Sequence, residues 1–335
     1  MMSGCRHFSA CLTMLAIVMH HFDAVRGNTC VNSEAAIGNG LLQHSSRLAT
    51  TPDAQHANRG PSAAALHALI ADDESKACSL EDKRLIGAVA TLLDASVPQL
   101  KNTSFVADLI RQVGLVEDPR PLYGSEAVYQ LNVTSDTTLG EGIGSAGMYQ
   151  LPEQMACALF SLSELNIKTF LEVGIYTGWT GVFMTAYLSR FTEDFVSVGV
   201  DIDDYQSSCV KDAMKVLGRD YVEISPEPQL GAEQLLNAAT GLVAEESSHV
   251  DLCFIDGDHS YEGVHHDVLT LLESCKYIML HDVIDRDCPG VREQWQQLIH
   301  LPAASKVWEC FQQPAGLPEL YLNTSSLGIG IVKVA

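Results

Sequence analysis

From about residue 148 onward, short apolar runs of strand length alternate with segments of helical period, and few folds accommodate that alternation. The runs cover residues 168–173, 196–200, 221–224, 250–255 and 277–280, and the helical segments cover 152–165, 181–190, 207–217, 232–239, 261–272 and 290–298. A run that is apolar at successive positions must be buried on both faces, because neighbouring side chains on a strand point to opposite sides. Strands of that kind, each followed by a helix, predict an α/β fold with a doubly wound, mostly parallel sheet. Two further runs, at about 307–311 and 327–334, have no helix between them. They predict an antiparallel hairpin that completes a seven-stranded, Rossmann-like sheet.

The segment before this pattern is different. Apolar residues spaced three and four apart recur between Ser62 and Leu115, including Leu66, Leu69, Ile70, Leu85, Ile86, Val89, Phe105, Leu109 and Ile110. That spacing predicts amphipathic helices, with Ser79 as an N-cap. Residues 63–125 are therefore expected to be a helical extension and 126–335 the principal domain. Residues 28–62 are rich in Ser, Ala, Asn, Thr and Gly without an apolar period and are expected to be a flexible linker. Residues 1–27 hold a basic start, an apolar run from Phe8 to Met19 and small residues near Gly27. The run is too short to span a bilayer and has the layout of a secretory signal peptide.

The chain has 335 residues, enough for one large domain with an appendage, and 47% are hydrophobic, enough for a sizeable core. Its 42 Asp and Glu outnumber 20 Lys and Arg, giving a net charge of -22 that repels phosphate backbones and anionic membranes. A nucleic-acid partner is disfavoured. The 10 cysteines show no CxxC pairs of the kind a structural zinc site uses. In an oxidising compartment they permit disulfides without indicating a pairing. Sequons at Asn102, Asn132 and Asn323 suit a secreted glycoprotein.

Three clusters carry chemistry, each just after an apolar run and so at the carboxyl edge of the sheet, where open α/β folds bind ligands. The first is Glu172-Val173-Gly174-Ile175-Tyr176-Thr177-Gly178-Trp179-Thr180. Its glycines permit a tight turn with close backbone approach to a ligand, and the helix beyond offers free N–H groups to an anion. The second is Asp201, placed to accept hydrogen bonds from ribose hydroxyls. The third is Asp256-Gly257-Asp258-His259-Ser260-Tyr261-Glu262-Gly263 with Leu280-His281-Asp282-Val283. Asp256, His281 and Asp282 are a donor set for a hard or borderline divalent ion, and His259 has the chemistry of a base near neutral pH. The competing reading is that His281 or Asp282 caps a loop or orients a neighbour.

Together with Pro289-Gly290-Val291 and Trp295, these motifs resemble class I S-adenosylmethionine-dependent methyltransferases of the small-molecule and sugar type, methyltransferase family 24. The glycine turn and the tail His281-Asp282-Val283 are also similar to catechol O-methyltransferase. The resemblance spans about residues 145–335. It implies a transferase using S-adenosyl-L-methionine, with Glu172, Gly174, Tyr176, Gly178, Thr180, Asp201 and Asp256 around the cofactor. It implies catalytic roles for His259 and Asp256, and magnesium or another divalent metal on Asp256, His281 and Asp282. Two of those positions depart from the catechol-type pattern of two Asp and one Asn, since His281 stands for Asp and Asp282 for Asn. The implied acceptor is a small hydroxylated molecule: a sugar, a glycan or a catechol-like compound. Two alternatives remain at this level. One is a non-catalytic secreted binding protein on the same fold, and the other is a metal-dependent hydroxylase of the cephalosporin hydroxylase type. The leader places the chain in the secretory pathway or outside the cell, or in an organelle reached through a two-part leader, with no membrane span once it is removed.

Overall fold

The computed structural model describes residues 61–71, 78–113, 119–122, 126–129, 148, 150–243, 248–286, 288–312 and 327–335. The expected leader, nearly all of the expected linker and the sequons at Asn132 and Asn323 lie outside the described residues. All described residues belong to one unit, Gln55–Ala335.

The helical extension contains α1 (Ala63–Ala71), α2 (Leu80–Asp94), the short α3 (Val97–Leu100) and α4 (Thr103–Val113). A two-stranded antiparallel hairpin follows, β1 (Pro119–Leu122) with β2 (Glu126–Tyr129), and it straddles the boundary expected at residue 125. Next come α5 (Pro152–Ser163), β3 (Thr169–Val173), α6 (Trp179–Leu188), β4 (Val196–Asp201), α7 (Ser208–Val216) and β5 (Arg219–Glu223). The chain continues with α8 (Pro228–Leu242), β6 (Val250–Ile255), α9 (Tyr261–Leu271), β7 (Cys275–Leu280), α10 (Pro289–Ile299), β8 (Lys306–Cys310) and β9 (Ile329–Lys333).

The seven strands run in the order β5-β4-β3-β6-β7-β9-β8. The first five are mutually parallel, and β9 is antiparallel to both β7 and β8. The predicted sheet, seven strands with an antiparallel C-terminal pair, is the one observed. Strand order reverses between β3 and β6, which opens a crevice at their carboxyl ends.

The two faces explain why the strand runs are continuously apolar. Phe170, Leu252, Phe254, Tyr277 and Met279 enter one core with the extension, α5, α6 and α7. Leu171, Val173, Cys253, Ile255, Ile278 and Leu280 enter the other with residues of α8, α9 and α10. The extension is thus a cover for one sheet face, with Leu85, Ile86, Val89 and Leu92 fully buried. Burial of each such side chain contributes about 1.5–3 kcal/mol. Local signals set the helix starts. Ser79, Ser207 and Ser260 accept backbone N–H bonds from Asp82, Val210 and Gly263. Pro152, Pro228 and Pro289 occupy first turns, where no N–H is needed.

Six cysteines pair as Cys78–Cys209, Cys157–Cys310 and Cys253–Cys275. The first ties the extension to α7, where the Ser207 hydroxyl also donates to Asp82. The second ties α5 to the edge strand β8. The absence of CxxC spacing hid these cross-links, because their partners are 131, 153 and 22 residues apart.

Candidate active site

The turn from Gly174 to Gly178 is built by steric necessity. Gly174 has a φ of 81°, and a Cβ there would collide with the Asp256 carbonyl and lie 2.5 Å from Gly257 Cα. Gly178 has a φ of 83° and begins α6 without a side-chain cap, so the helix presents unsatisfied amides at this edge. Thr180 lies in that first turn, half-buried.

Asp201 organises this turn. Its Oδ2 accepts from the amides of Ile175 and Tyr176, each at 2.7 Å, and its Oδ1 from Ile202 N at 2.7 Å. The acid expected to meet a ribose therefore also fixes the backbone that would cradle the ligand. Gln206 Nε2 holds the Tyr176 carbonyl at 2.7 Å, and the Tyr176 and Tyr205 rings lie 5.6 Å apart.

Glu172 sits beneath the turn, 1% exposed, in an ion pair with the fully buried Arg219. Burial pushes its carboxyl up to about 8, with Arg219 opposing that shift. Gly181 and Gly199 make room for the pair, since a Cβ at either would collide with it. This carboxylate is committed to Arg219 rather than displayed in the crevice, unlike the cofactor contact expected for it. Arg219 carries no motif, and the small residues at 181 and 199 were the faint signal for a bulky buried group.

Asp256, His259, His281 and Asp282 do come together. His281 Nδ1 is 3.3 Å from Asp256 Oδ1 and 3.2 Å from Asp282 Oδ1. His259 Nε2 is 3.4 Å from both Asp256 Oδ1 and Asp282 Oδ2. The His259 side chain is 44% exposed while those of His281 and Asp282 are each 5% exposed, so His259 is the solvent-facing member. Asp282 has a φ of 60°, a left-handed conformation that Asp tolerates better than most residues. Gln150, 1% exposed and absent from the sequence motifs, donates to Asp256 Oδ2 at 3.1 Å. It precedes α5 in a segment with no chemical signature.

The electrostatics follow from these contacts. The hydrogen bond to Asp256, then that to Cys288, lifts His259 to about 11. Burial alone would lower His281, but Asp282 and Asp256 outweigh it and raise the imidazole to about 10. Burial would raise Asp256, yet His281 and His259 hold it below the ordinary carboxylate range. Two imidazolium ions thus balance two carboxylates. In this charge state His259 carries a proton at neutral pH, and its expected role as a base requires Asp256 and Asp282 to be engaged by another cation. The residues fit one: ligand atoms of Asp256, His281 and Asp282 lie within 4.8 Å of one another. Asp282 Oδ1, His281 Nε2 and Gln150 Oε1 are buried without a hydrogen-bond partner.

Behind the Gly257 loop, burial raises the Asp267 carboxyl on α9 to about 6, helped by Asp258 and opposed by His266. A raised folded value means that the folded state binds this proton more tightly. The associated stability is present below the unfolded value near 4 and is lost as pH rises through 6. Asp267→Asn is accordingly expected to stabilise the protein by about 1–2 kcal/mol at neutral pH, with no gain below about pH 4. Denaturant melts across that range measure the difference, and a gain independent of pH would contradict the assignment.

Residues 171–283 match the family model described as a methyltransferase domain. Among solved structures, the chain is similar to the O-methyltransferase from Bacillus cereus in complex with SAH. That match has a TM-score of 0.37 and 15% identity over 52% of this chain and 78% of that one. It is also similar to the O-methyltransferase TomG from Streptomyces achromogenes in complex with SAM, with a TM-score of 0.38 and 12% identity over 56% and 81%. A third is cmcI-D160 with Mg and SAM, at a TM-score of 0.37 and 19% identity over 65% and 82%. No curated protein matches the chain.

Proposed function

We infer that this chain, residues 171–283 of which match a methyltransferase domain, is a class I S-adenosylmethionine-dependent O-methyltransferase acting on a small hydroxylated acceptor such as a sugar, a glycan or a catechol-like compound. The observation that carries this reading is a coincidence of span. The matched segment, 171–283, holds the glycine turn, Asp201, Asp256, His259, His281 and Asp282.

S-adenosylmethionine supplies a sulfonium-bound methyl group, and transfer to oxygen is an in-line displacement that requires alignment, exclusion of water and removal of the acceptor's proton. Gly174, Gly178 and the open start of α6 form the cradle, and Asp201 keeps the Ile175 and Tyr176 amides in place. Gln150 orients Asp256 at the rim. Asp256, His281 and Asp282 would hold a divalent ion, whose charge lowers the pKa of an acceptor hydroxyl. His259 is the cluster's most exposed member, which leaves it accessible to an acceptor entering from solvent.

Calorimetric titration of the full chain with S-adenosylmethionine and S-adenosylhomocysteine tests the reading, followed by radiolabelled methyl transfer to a panel of sugars and catechols. Saturable binding with transfer to a hydroxyl is expected, and failure to bind either compound would overturn it. His259→Ala is expected to lower kcat/KM by about 10²-fold while cofactor affinity stays within a few-fold. A variant with wild-type turnover would remove His259 from the reaction.

The three disulfides support a compartment that is oxidising, in line with the signal-peptide layout of residues 1–27. We propose that the protein resides in the secretory pathway or is secreted. Peptide mapping of the protein isolated from cells without reductant should recover all three pairs, whereas six reduced thiols would contradict this location.

A further inference from the structure

Cys288 is the free cysteine among the described residues, and its position depends on a glycine. It precedes α10, and a Cβ at Gly290 would fall 2.7 Å from the Ser260 carbonyl carbon and 2.8 Å from the His259 carbonyl oxygen. The first turn of α10 therefore rests directly on the backbone of the 259–261 loop. That approach brings the Cys288 thiol close to the His259 imidazole. Ligand atoms of His259, Asp282 and Cys288 all lie within 4.8 Å of one another.

Asp282 joins this group to the neighbouring one. Its Oδ2 faces His259 at 3.4 Å and its Oδ1 faces His281 at 3.2 Å. The residue is 4% exposed, and Oδ1 is buried with no hydrogen-bond partner. One buried carboxylate thus turns an oxygen toward each of two ligand triads.

We propose that His259, Asp282 and Cys288 form a second metal position beside Asp256, His281 and Asp282, selective for a thiolate-accepting divalent ion of the zinc class. Imidazole, carboxylate and thiolate suit zinc in tetrahedral coordination, and three protein ligands leave a fourth position open. Magnesium, which requires hard oxygen ligands in octahedral geometry, is a poor occupant. On binding, the Cys288 S–H bond is broken, a sulfur–metal bond forms and the proton leaves to solvent. A bound ion would engage the His259 imidazole as a ligand and would supply positive charge beside the acceptor oxygen, in place of a free base at this position. This deepens the methyl-transfer reading of the same site and rests on it for purpose, while the metal position rests on its own geometry.

The test is a titration of the metal-stripped full chain with cobalt(II). A sulfur-to-cobalt charge-transfer band in the near ultraviolet is expected. Zinc should abolish it, excess magnesium should leave it intact, Cys288→Ser should lose it and Asp256→Asn should keep it. A missing band, or one unchanged in Cys288→Ser, would overturn the proposal. Should that variant fold poorly by circular dichroism, the wild-type protein provides the second measurement. Zinc should slow iodoacetamide alkylation of Cys288, followed by peptide mass spectrometry, by about tenfold or more. Equal rates with and without zinc would also overturn it. S-adenosylhomocysteine titration of the same preparation separates the two readings. Failure to bind strikes the methyltransferase function, whereas failure of the cobalt and zinc measurements strikes the metal position alone.

Discussion

Arg219→Met is expected to lower the free energy of unfolding by about 3–5 kcal/mol, the usual cost of removing one partner from a buried ion pair. Arg219 has no exposed side-chain surface, and its guanidinium lies against Glu172, 3.4 Å from Thr185 Oγ1 and 5.3 Å from the centre of the Phe170 ring. Its loss strands the Glu172 carboxylate in the interior with Asp256 and Asp201 as its nearest charged influences, both of the same sign. The carboxyl would then bind its proton still more tightly in the fold. Because the folded value is already raised to about 8, stability is full below the unfolded value and falls as pH rises through 8. The deficit of the variant should therefore stay level from pH 5 to about pH 8 and widen as pH rises above 8. Glu172→Gln combined with Arg219→Met should recover part of the loss, since neither charge then remains unpaired. Denaturant melts of the two single variants and the double variant measure the coupling. A loss under about 1 kcal/mol for Arg219→Met would show that the pair does not hold this part of the sheet.

That ion pair also marks where the sequence stops being informative. The strands were legible because burial on both faces leaves a continuous apolar run, as in Leu252, Cys253, Phe254 and Ile255. The positions of Asp256, His259, His281 and Asp282 were legible because each follows such a run, and parallel strands bring their carboxyl ends to one edge. What each acid does there was less so. Asp201 reads as a ligand acceptor, and its oxygens also accept from four backbone amides, a matter of turn geometry rather than of residue type. Glu172 lies in the same motif, but the register of β3 turns it toward Phe170's side of the sheet, where Arg219 waits at the start of β5. Gln150 and Cys288 were silent for a related reason. Each reaches the cluster through tertiary packing, Gln150 from the segment before α5 and Cys288 through the close approach that Gly290 allows. The extension's apolar faces were plain from their spacing, but a periodic face does not state what it covers. Here it covers the sheet face that holds Phe170 and Phe254.

Asp282→Asn is expected to reduce methyl transfer by about 10²–10³-fold, the scale of removing one preorganised charge at a reacting oxygen. The substitution is chosen for its backbone. At a φ of 60°, Asn is tolerated nearly as well as Asp, whereas Ala would add left-handed strain to the chemical change. Asn is also almost the same size, which matters at a site 4% exposed. What the variant loses is charge on both oxygens at once, and these oxygens face His281 and His259 separately. Both imidazoles then keep only the Asp256 carboxylate as a close acidic partner, and both ligand triads keep a neutral amide oxygen in place of their shared carboxylate. The glycine turn and Asp201 are untouched, so affinity for S-adenosylhomocysteine should stay within about threefold. The diagnostic pattern is therefore a fall in kcat/KM without a matching fall in cofactor affinity, accompanied by weaker divalent-ion binding. An Asn variant that turns over at the wild-type rate would show that the rim cluster stands beside the reaction instead of in it. A variant that loses cofactor binding and activity together would place Asp282 in the structural support of the crevice.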